Sequence, residues 1–430
     1  MGFFKALLRR LPRSILNFRH FWFAWCGDVK YGHPSERIFV IGVTGTSGKS
    51  SVIYFLKQIL ESVGKKVGAL STVEFCVAGT CRLNDKKMTM LGKMEIQRYL
   101  RQMIEDRCEV AIIETTSEGA RQYRHRFINY DVIALTNLYP EHIESHGSFE
   151  NYKNAKRRIF ADIAGTKRKV LDGQTVPKIA VVNSEVKECR DFLGYSFDKK
   201  FTFSKSEAEN VQVTKDGIVF RAFGREWRAP IYGEYNVVNL LCAMKLARLA
   251  GVSDNQIAAA LRSLLSVPGR IEFIPEARPK GFEVIVDYAF ETVAMDELYK
   301  VVQLFAPKKI IHVFGSTGGG RDVERRFSVG KMVGTRADIC IVTDEDPYDD
   351  DPASIMSDVA AAVRGAGKVD GTTLFTIPDR RNAIRKANEL AQAGDMVLLT
   401  GKGSEQAMAV RGTLVPWDDR VEVRQAMHSC

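Results

Sequence analysis

No apolar run in the 430-residue chain approaches the roughly 18 residues that a membrane-crossing helix needs, so no bilayer-spanning segment is expected. The eight cysteines form no CxxC pair and no secretory signal precedes them, so they are expected to be reduced thiols of a cytosolic protein. Only Cys76 and Cys81 stand close together, and two ligands do not make a zinc site. Short-period repeats and low-complexity segments are missing too. With 45% hydrophobic and 27% charged residues, the composition excludes collagen-like, coiled-coil and disordered classes. Of the net charge of +10, half lies in residues 1–37, where seven Lys and Arg face two acids. The remainder is only mildly basic, which argues against a nucleic-acid partner.

The first residues are unusual in what they do contain. Phe4, Leu7, Leu8 and Leu11 fall on one helical stripe, with Lys5, Arg9 and Arg13 on another face and Pro12 as an interruption. Phe18, Phe21, Trp22, Phe23 and Trp25 follow. Basic residues beside Trp and Phe suit a membrane interface, which would place residues 1–30 peripherally at the inner face of the cell membrane. A helix docking on the protein's own body is the other reading.

From residue 38 the pattern is alternating α/β. Apolar runs at 38–42, 110–114 and 132–137 alternate with helical stretches, as parallel βαβ units require. A more β-like stretch covers 178–232, and helices are expected near 236–250 and 254–265. Beyond Pro268-Gly269 the alternation restarts with strands near 284–288, 310–314, 339–343, 373–377 and 396–400. The expected organisation is a basic aromatic segment (1–37), an ATP-binding central domain with a mostly parallel sheet (38–267) and a Rossmann-like α/β C-terminal domain (268–430).

The string GVTGTSGKS at 42–50 follows a strand and opens a helix. Such a loop turns backbone N–H groups inward as an anion cradle; Lys49 would reach phosphates and the Ser50 hydroxyl would meet Mg²⁺. Val43 stands where the general phosphate-loop pattern asks for glycine. Glu114 closes its strand at the carboxyl edge of the same sheet, where ligands bind in open α/β folds. The segment 136–146 brings two histidines and two glutamates to that edge, and one of these histidines is expected to be functional.

Together the strings GVTGTSGKSS, IIETTSEG and TNLYPEHIESHGSFENYKNAK resemble the ATP-dependent Mur ligases of peptidoglycan synthesis, most closely the MurE type. GEYNVVN at 233–239, PGRIE at 268–272, VDYA at 286–289, FGSTGGGRD at 314–322, TDEDP at 343–347 and GKGSE at 401–405 continue the likeness in order. The resemblance implies a ligase that adds an amino acid to a muramyl-peptide acceptor through an acyl phosphate. It implies catalytic roles for Lys49, Glu114, His142 and Lys156. Nucleotide contacts would come from Gly45, Thr46, Ser47, Gly48, Lys49, Ser50, Ser51, Asn236, Asn239, Arg270 and Asp287. Metal would be held by Ser50, Glu114, His142 and Lys156, with Lys156 carbamylated. Thr89, Thr116, Ser117, Gln122 and Arg124 would face the peptide; Asp344, Asp346, Tyr348, Gly401 and Glu405 would face the amino acid, delivered by closure about a hinge near residue 268.

Three departures from the family pattern stand out. Only about 40 residues precede the phosphate loop where MurE enzymes carry a UDP-binding domain, so the expected acceptor is lipid-linked or not gripped through uridine. The D-N-P-R motif, whose arginine grips the distal carboxylate of diaminopimelate, reads Asp344-Glu-Asp-Pro-Tyr348. Losing a cation and gaining carboxylates favours lysine or ornithine over diaminopimelate. D-Y-A-H becomes Asp287-Tyr-Ala-Phe290, and Ser404 replaces a histidine. The alternatives are a MurT-like or folylpolyglutamate-synthase-like ligase, or a non-catalytic nucleotide-binding scaffold.

Overall fold

Strand β1 (Phe39–Thr44) is buried along nearly its whole length and lies at the centre of an eight-stranded sheet. The computed structural model describes residues 13–86, 88–140, 146–320 and 323–428. Those residues form two compact units, one built mainly from residues before 265 and one mainly from residues 265 onward.

In the first unit, β2 (Val67–Leu70), β3 (Glu74–Val77), β4 (Thr80–Leu83), β5 (Val110–Glu114) and β6 (Val132–Leu135) precede a small hairpin of β7 (Val170–Leu171) and β8 (Gln174–Thr175). β9 (Ile179–Asn183) and β10 (Lys199–Phe203) follow, and the large sheet runs β10-β9-β6-β1-β5-β2-β3-β4. It is parallel from β10 through β2, and β3 and β4 add an antiparallel edge. Parallel strands covered on both faces read as continuous apolar runs, which is why β1, β5, β6 and β9 were visible in the sequence. β1 runs two residues past the expected 38–42 because Val43 pairs with Glu114 and Thr44 with Leu135. Val43 therefore sits in a strand, fully buried, where the general motif has a glycine of the loop. β11 (Glu209–Thr214), β12 (Gly217–Ala222) and β13 (Arg225–Ala229) form a separate three-stranded sheet.

In the second unit, β14 (Glu272–Phe273), β15 (Glu283–Asp287), β16 (Ile310–Phe314), β17 (Ile339–Val342), β18 (Leu374–Thr376) and β19 (Met396–Thr400) make a sheet of order β14-β15-β19-β16-β17-β18. All its pairings are parallel except that of β14 with β15. A hairpin of β20 (Ala407–Val410) and β21 (Thr413–Pro416) follows. The acidic run at 349–351 is a helix start: Asp351 accepts from the N–H groups of Ala353 and Ser354 at the head of the helix Pro352–Gly365.

The cysteine reading is corrected at one place. Cys76 and Cys81 face each other directly across the β3–β4 pair and form a disulfide. Lys57 Nζ lies 3.3 and 3.4 Å from the two sulfurs and 2.5 Å from Glu74 Oε1. Cys26, Cys108, Cys189, Cys242 and Cys340 are free thiols.

The stripe of Phe4, Leu7, Leu8 and Leu11 lies outside the described residues. A helix spans Arg13–Lys30. Its Ala24 and Gly27 are buried, Gly27 against Met94, and Phe21 meets Tyr123 and Phe127 edge-on at 6.1 and 5.1 Å. Phe18 (65% exposed) and Trp22 (49%) point outward with Phe23 and Trp25. One face thus docks on the body while the other remains aromatic and open. Among the described residues no helix is long and apolar enough to cross a membrane.

Asp131 anchors the opposite edge of the large sheet. Its carboxylate accepts from Val40 N and pairs with Lys169 Nζ at 2.8 Å and Lys178 Nζ at 3.6 Å, all three side chains being out of solvent. Burial pushes Asp131 up and holds Lys178 down at about 8.

Candidate functional site

The loop between β1 and the helix Lys49–Ser62 is shaped by two glycines. Gly45 has φ 151°, and a Cβ there would lie 1.9 Å from Thr136 Oγ1. Gly48 has φ 75°, and a Cβ there would fall 2.4 Å from Asn239 Oδ1. Both positions demand glycine for conformation and for close approach. Asn137 Oδ1 accepts from the N–H groups of Thr46 (3.0 Å) and Ser47 (2.8 Å), so the loop's amides converge on an oxygen acceptor. Thr136 Oγ1 donates to the Ser47 carbonyl at 2.7 Å.

Two ammonium groups meet at one carbonyl of this loop. Lys49 Nζ donates to Gly45 O (3.1 Å) and Thr46 O (2.9 Å), and Lys156 Nζ donates to Gly45 O at 2.7 Å. Lys156 is 1% exposed and lies over the ring of Tyr152, whose hydroxyl donates to Thr46 Oγ1. Far from being a solvated basic residue, Lys156 is part of the loop's wall. Concentrated positive charge beside inward amides receives phosphate oxygens.

On the other side of the loop, Glu114 is 2% exposed at the end of β5. Its Oε2 accepts from Ser50 Oγ (2.9 Å), Thr72 N (2.8 Å) and Thr72 Oγ1 (3.0 Å). A carboxylate grouped with two hydroxyls is an oxygen donor set of the kind a hard divalent cation takes. Ser51 is half-buried in the same helical turn. Asn239 Nδ2 donates to Asn236 Oδ1 at the head of the helix Asn236–Leu249, and Asn239 closes over Gly48. His142 lies outside the described residues, as does Glu141. His146 is buried, hydrogen-bonded through Nε2 to Ser117 Oγ (3.2 Å), and meets Tyr152 edge-on.

The expected peptide-side residues lie together. Thr116 Oγ1 caps the short helix Ser117–Arg121 by accepting from Gly119 N. Gln122 Oε1 accepts from Arg124 Nε (3.1 Å) and Nη2 (2.7 Å), and Arg124 Nη1 donates to the Met90 carbonyl. That last contact joins the segment 89–91, half-buried Thr89 included, to Gln122 and Arg124.

In the second unit, Asp287 Oδ2 accepts from Ile271 N and Oδ1 from Ala289 N, each at 2.6 Å. Burial raises its pKa while the Arg270 charge lowers it, and the Arg270 guanidinium lies over the Tyr288 ring at 4.5 Å. Lys402, absent from the expected set, is the hub of the other end: its Nζ donates to Asp346 Oδ2 (2.9 Å), Glu405 Oε2 (2.5 Å) and Ala407 O (2.9 Å). Asp346 is thus already neutralised, while Asp344 is half-buried and accepts from Glu345 N. Burial pushes Asp344 up. Gly401 (φ 101°) packs against Glu345, where a Cβ would lie 2.2 Å from Oε2. Burial pushes Glu345 up to about 7, against the pull of Arg380 and Lys402. Tyr348 has φ 52° and bonds through its backbone to Ala409 and Arg411.

Thr72, Asn137, Tyr152 and Lys402 were given no role in the sequence reading, whereas His146 was one of the two histidines considered there. Asn137 directly follows an apolar run and was detectable as a polar strand terminus, whereas Thr72 carries no such signature.

A family model described as the Mur ligase middle domain matches residues 43–247, and one described as Mur ligase, glutamate ligase domain matches residues 269–403. UDP-N-acetylmuramyl-tripeptide synthetase of Roseiflexus sp. (strain RS-1) is 36% identical over 414 residues, covering 92% of this chain and 80% of that protein. UDP-N-acetylmuramoyl-L-alanyl-D-glutamate--2,6-diaminopimelate ligase of Geobacillus thermodenitrificans (strain NG80-2) is 33% identical over 413 residues, covering 93% and 81%. A solved structure of a UDP-N-acetylmuramoyl-L-alanyl-D-glutamate--2,6-diaminopimelate ligase superposes with a TM-score of 0.62 at 26% identity, covering 91% of this chain and 79% of that one.

Proposed function

The chain belongs to the Mur ligase family of ATP-dependent amide-forming enzymes, and we propose that it joins a free amino acid to a muramyl-peptide acceptor through an acyl phosphate. The observation that carries this reading is the grouping around one glycine loop of Lys49, Lys156, Ser50 and Glu114. An acceptor carboxylate oxygen attacks the γ-phosphorus of ATP and ADP leaves. The amine of the incoming amino acid then attacks the acyl carbon, loses a proton and expels phosphate. Negative charge grows on the transferring oxygens in both steps, and Lys49 with the loop amides is placed to stabilise it.

Mg²⁺, when bound, would neutralise phosphate charge, and Ser50 and Glu114 are the oxygen donors fitted to hold it, with His142 assigned beside them. On this reading the Lys156 ammonium loses a proton, and the free amine then adds to CO₂ and loses a second, giving a carbamate that replaces a cation by an anion at the loop. Asn236 and Asn239 hold the nucleotide from the helix they begin; Arg270 and Asp287 are assigned to it as well.

The amino acid is lysine or ornithine rather than diaminopimelate, because the position of the family's arginine is Tyr348 and Asp344 offers a half-buried carboxylate to an ammonium group. The open aromatic face of the helix Arg13–Lys30, with Arg19 and Lys30 along it, supports association with an anionic membrane surface and a lipid-linked acceptor, hence a peripheral place at the inner face of the cell membrane. The test is mass spectrometry of products after incubation with ATP, Mg²⁺, a muramyl-peptide pool and mixed amino acids. The expected result is an acceptor heavier by one amino-acid residue, with ADP formed only when both substrates are present. ATP binding without turnover under every mixture would replace the ligase by a scaffold.

A further inference from the structure

Lys93 opens the helix Lys93–Glu105 behind Gly92, which provides no side-chain cap. From the docked helix Arg13–Lys30, His20 brings its Nδ1 to 2.8 Å from Lys93 Nζ. The ammonium donates, so His20 accepts through Nδ1 and carries its proton on Nε2, a neutral ring with one donor to spare. Burial first, then the charges of Arg124 and Arg19, hold Lys93 down at about 8. Burial and then Lys93, Arg19 and Arg124 hold His20 at about 4.

Arg124 is fixed by neutral acceptors, the Gln122 side-chain oxygen and the Met90 carbonyl. The nearest carboxylate to act on it, Glu118, is itself bonded to Gln122 Nε2 at 2.7 Å. Among the described residues no carboxylate forms an ion pair with Arg19, Lys93 or Arg124. Three cations therefore gather around one imidazole at a half-buried yet accessible place, with uncapped amides of a 13-residue helix beside them. Bringing like charges together costs free energy unless a counter-charge arrives. The planar guanidinium fork of Arg19, an ammonium, an imidazole N–H and helix amides, with the Arg124 charge held beside them by Gln122 and Met90, suit the several oxygens of a phosphate ester better than a single carboxylate.

We infer that Arg19 and Lys93, with His20 as a neutral donor and the charge of Arg124 beside them, receive the diphosphate ester of the acceptor, the helix Arg13–Lys30 thereby supplying part of an acceptor subsite. This rests on the ligase reading above, because Arg124 links the site to the segment 89–91 assigned to the growing peptide. A diphosphate ester reaches such a site either on a nucleotide or on a polyprenyl lipid, and the two sources are separable by experiment.

The full chain is first saturated with Mg²⁺ and a non-hydrolysable ATP analogue so that the glycine loop does not compete. Binding of UDP is then measured by calorimetry, and binding of neutral-lipid vesicles with and without a polyprenyl diphosphate by sedimentation. Arg19→Gln and Lys93→Gln are compared with wild type, and Arg98→Gln, whose arginine neighbours Glu95, serves as the control. The expected result is saturable binding of at least one probe, weakened on the order of tenfold or more by each of the first two substitutions and unchanged by the third. Binding of UDP alone assigns a nucleotide-borne acceptor, and binding of the polyprenyl diphosphate alone a lipid-borne one; both support the subsite. No saturable binding of either probe, or equal affinity in wild type, R19Q and K93Q, overturns it. Arg19 is exposed, so R19Q is expected to fold even if K93Q does not. A chain that ligates amino acids yet shows no dependence on Arg19 and Lys93 sinks the subsite alone. One that binds diphosphate through them but never ligates supports the subsite and removes the ligase reading.

Discussion

The Ser50 hydroxyl donates to Glu114 Oε2 across 2.9 Å, tying the first turn of the phosphate-loop helix to the last residue of β5. Neighbouring parallel strands deliver the two groups to the same sheet edge, since Val43 pairs with Glu114 one residue before β1 ends. Glu114→Ala removes the carboxylate from this oxygen set. It is expected to lower amino-acid-dependent phosphate release by on the order of 10²-fold or more. Lys49→Ala should do the same, with each variant's melting temperature recorded to separate loss of chemistry from loss of fold. Activity within a factor of a few of wild type in both would remove the site assignment.

Specificity for the amino acid is expected to follow Asp344. A phosphate-release screen over lysine, ornithine and diaminopimelate should rank the first two above the third. Asp344→Asn should raise KM for lysine more than it lowers kcat, because on the proposed reading the carboxylate would hold an ammonium remote from the reacting amine. A clear preference for diaminopimelate overturns the assignment.

The pH response of the second unit is expected to carry the mark of Glu345. Its folded pKa, raised by burial to about 7 from 4.5, means that the fold favours the neutral acid. That contribution is complete below the unfolded value and disappears as pH rises through the folded one. Between about pH 5 and about pH 8 wild type should therefore lose denaturant stability relative to Glu345→Gln, whose amide does not titrate. Parallel curves for the two proteins would contradict this.

Asp131 is the carboxylate paired with two buried lysines, and removing it leaves both without that ion-pair partner. Asp131→Ala is expected to cost about 3–5 kcal/mol of unfolding free energy. Urea unfolding monitored by far-UV circular dichroism reads it as a lowered midpoint, and an unchanged midpoint would show that the lysines find other partners.

Membrane association is expected to reside in the outward aromatics. Wild type should co-sediment with anionic liposomes and be released by salt, and Trp22→Ala with Trp25→Ala should reduce the bound fraction several-fold. Equal, negligible binding by both proteins would confine the helix to its docking role.

The sheets were legible because a parallel strand covered on both faces leaves an unbroken apolar run, as at 110–114 and 310–314, and because glycine loops announce a strand-to-helix turn. The short or half-exposed strands, β7, β8 and β14, left no such run. Lys156 was visible only through family resemblance: its neighbours Lys153, Arg157 and Arg158 make a basic stretch, and nothing local says that its side chain turns inward to Gly45. Asp346 misled in the opposite direction, since its neutralisation by Lys402 spans 56 residues of sequence. Long-range ion pairs of this kind have no periodicity to betray them.

The Cys76–Cys81 bridge closes a ring only five residues around, and cross-links of so small a loop restrict the unfolded chain least. Its hairpin is already held by strand pairing and by the Lys57–Glu74 ion pair beneath it, and the same ammonium would compensate a thiolate if the bond were reduced. The architecture therefore tolerates either oxidation state at this edge, and the bridge reports the chemistry of the surroundings more than it braces the fold.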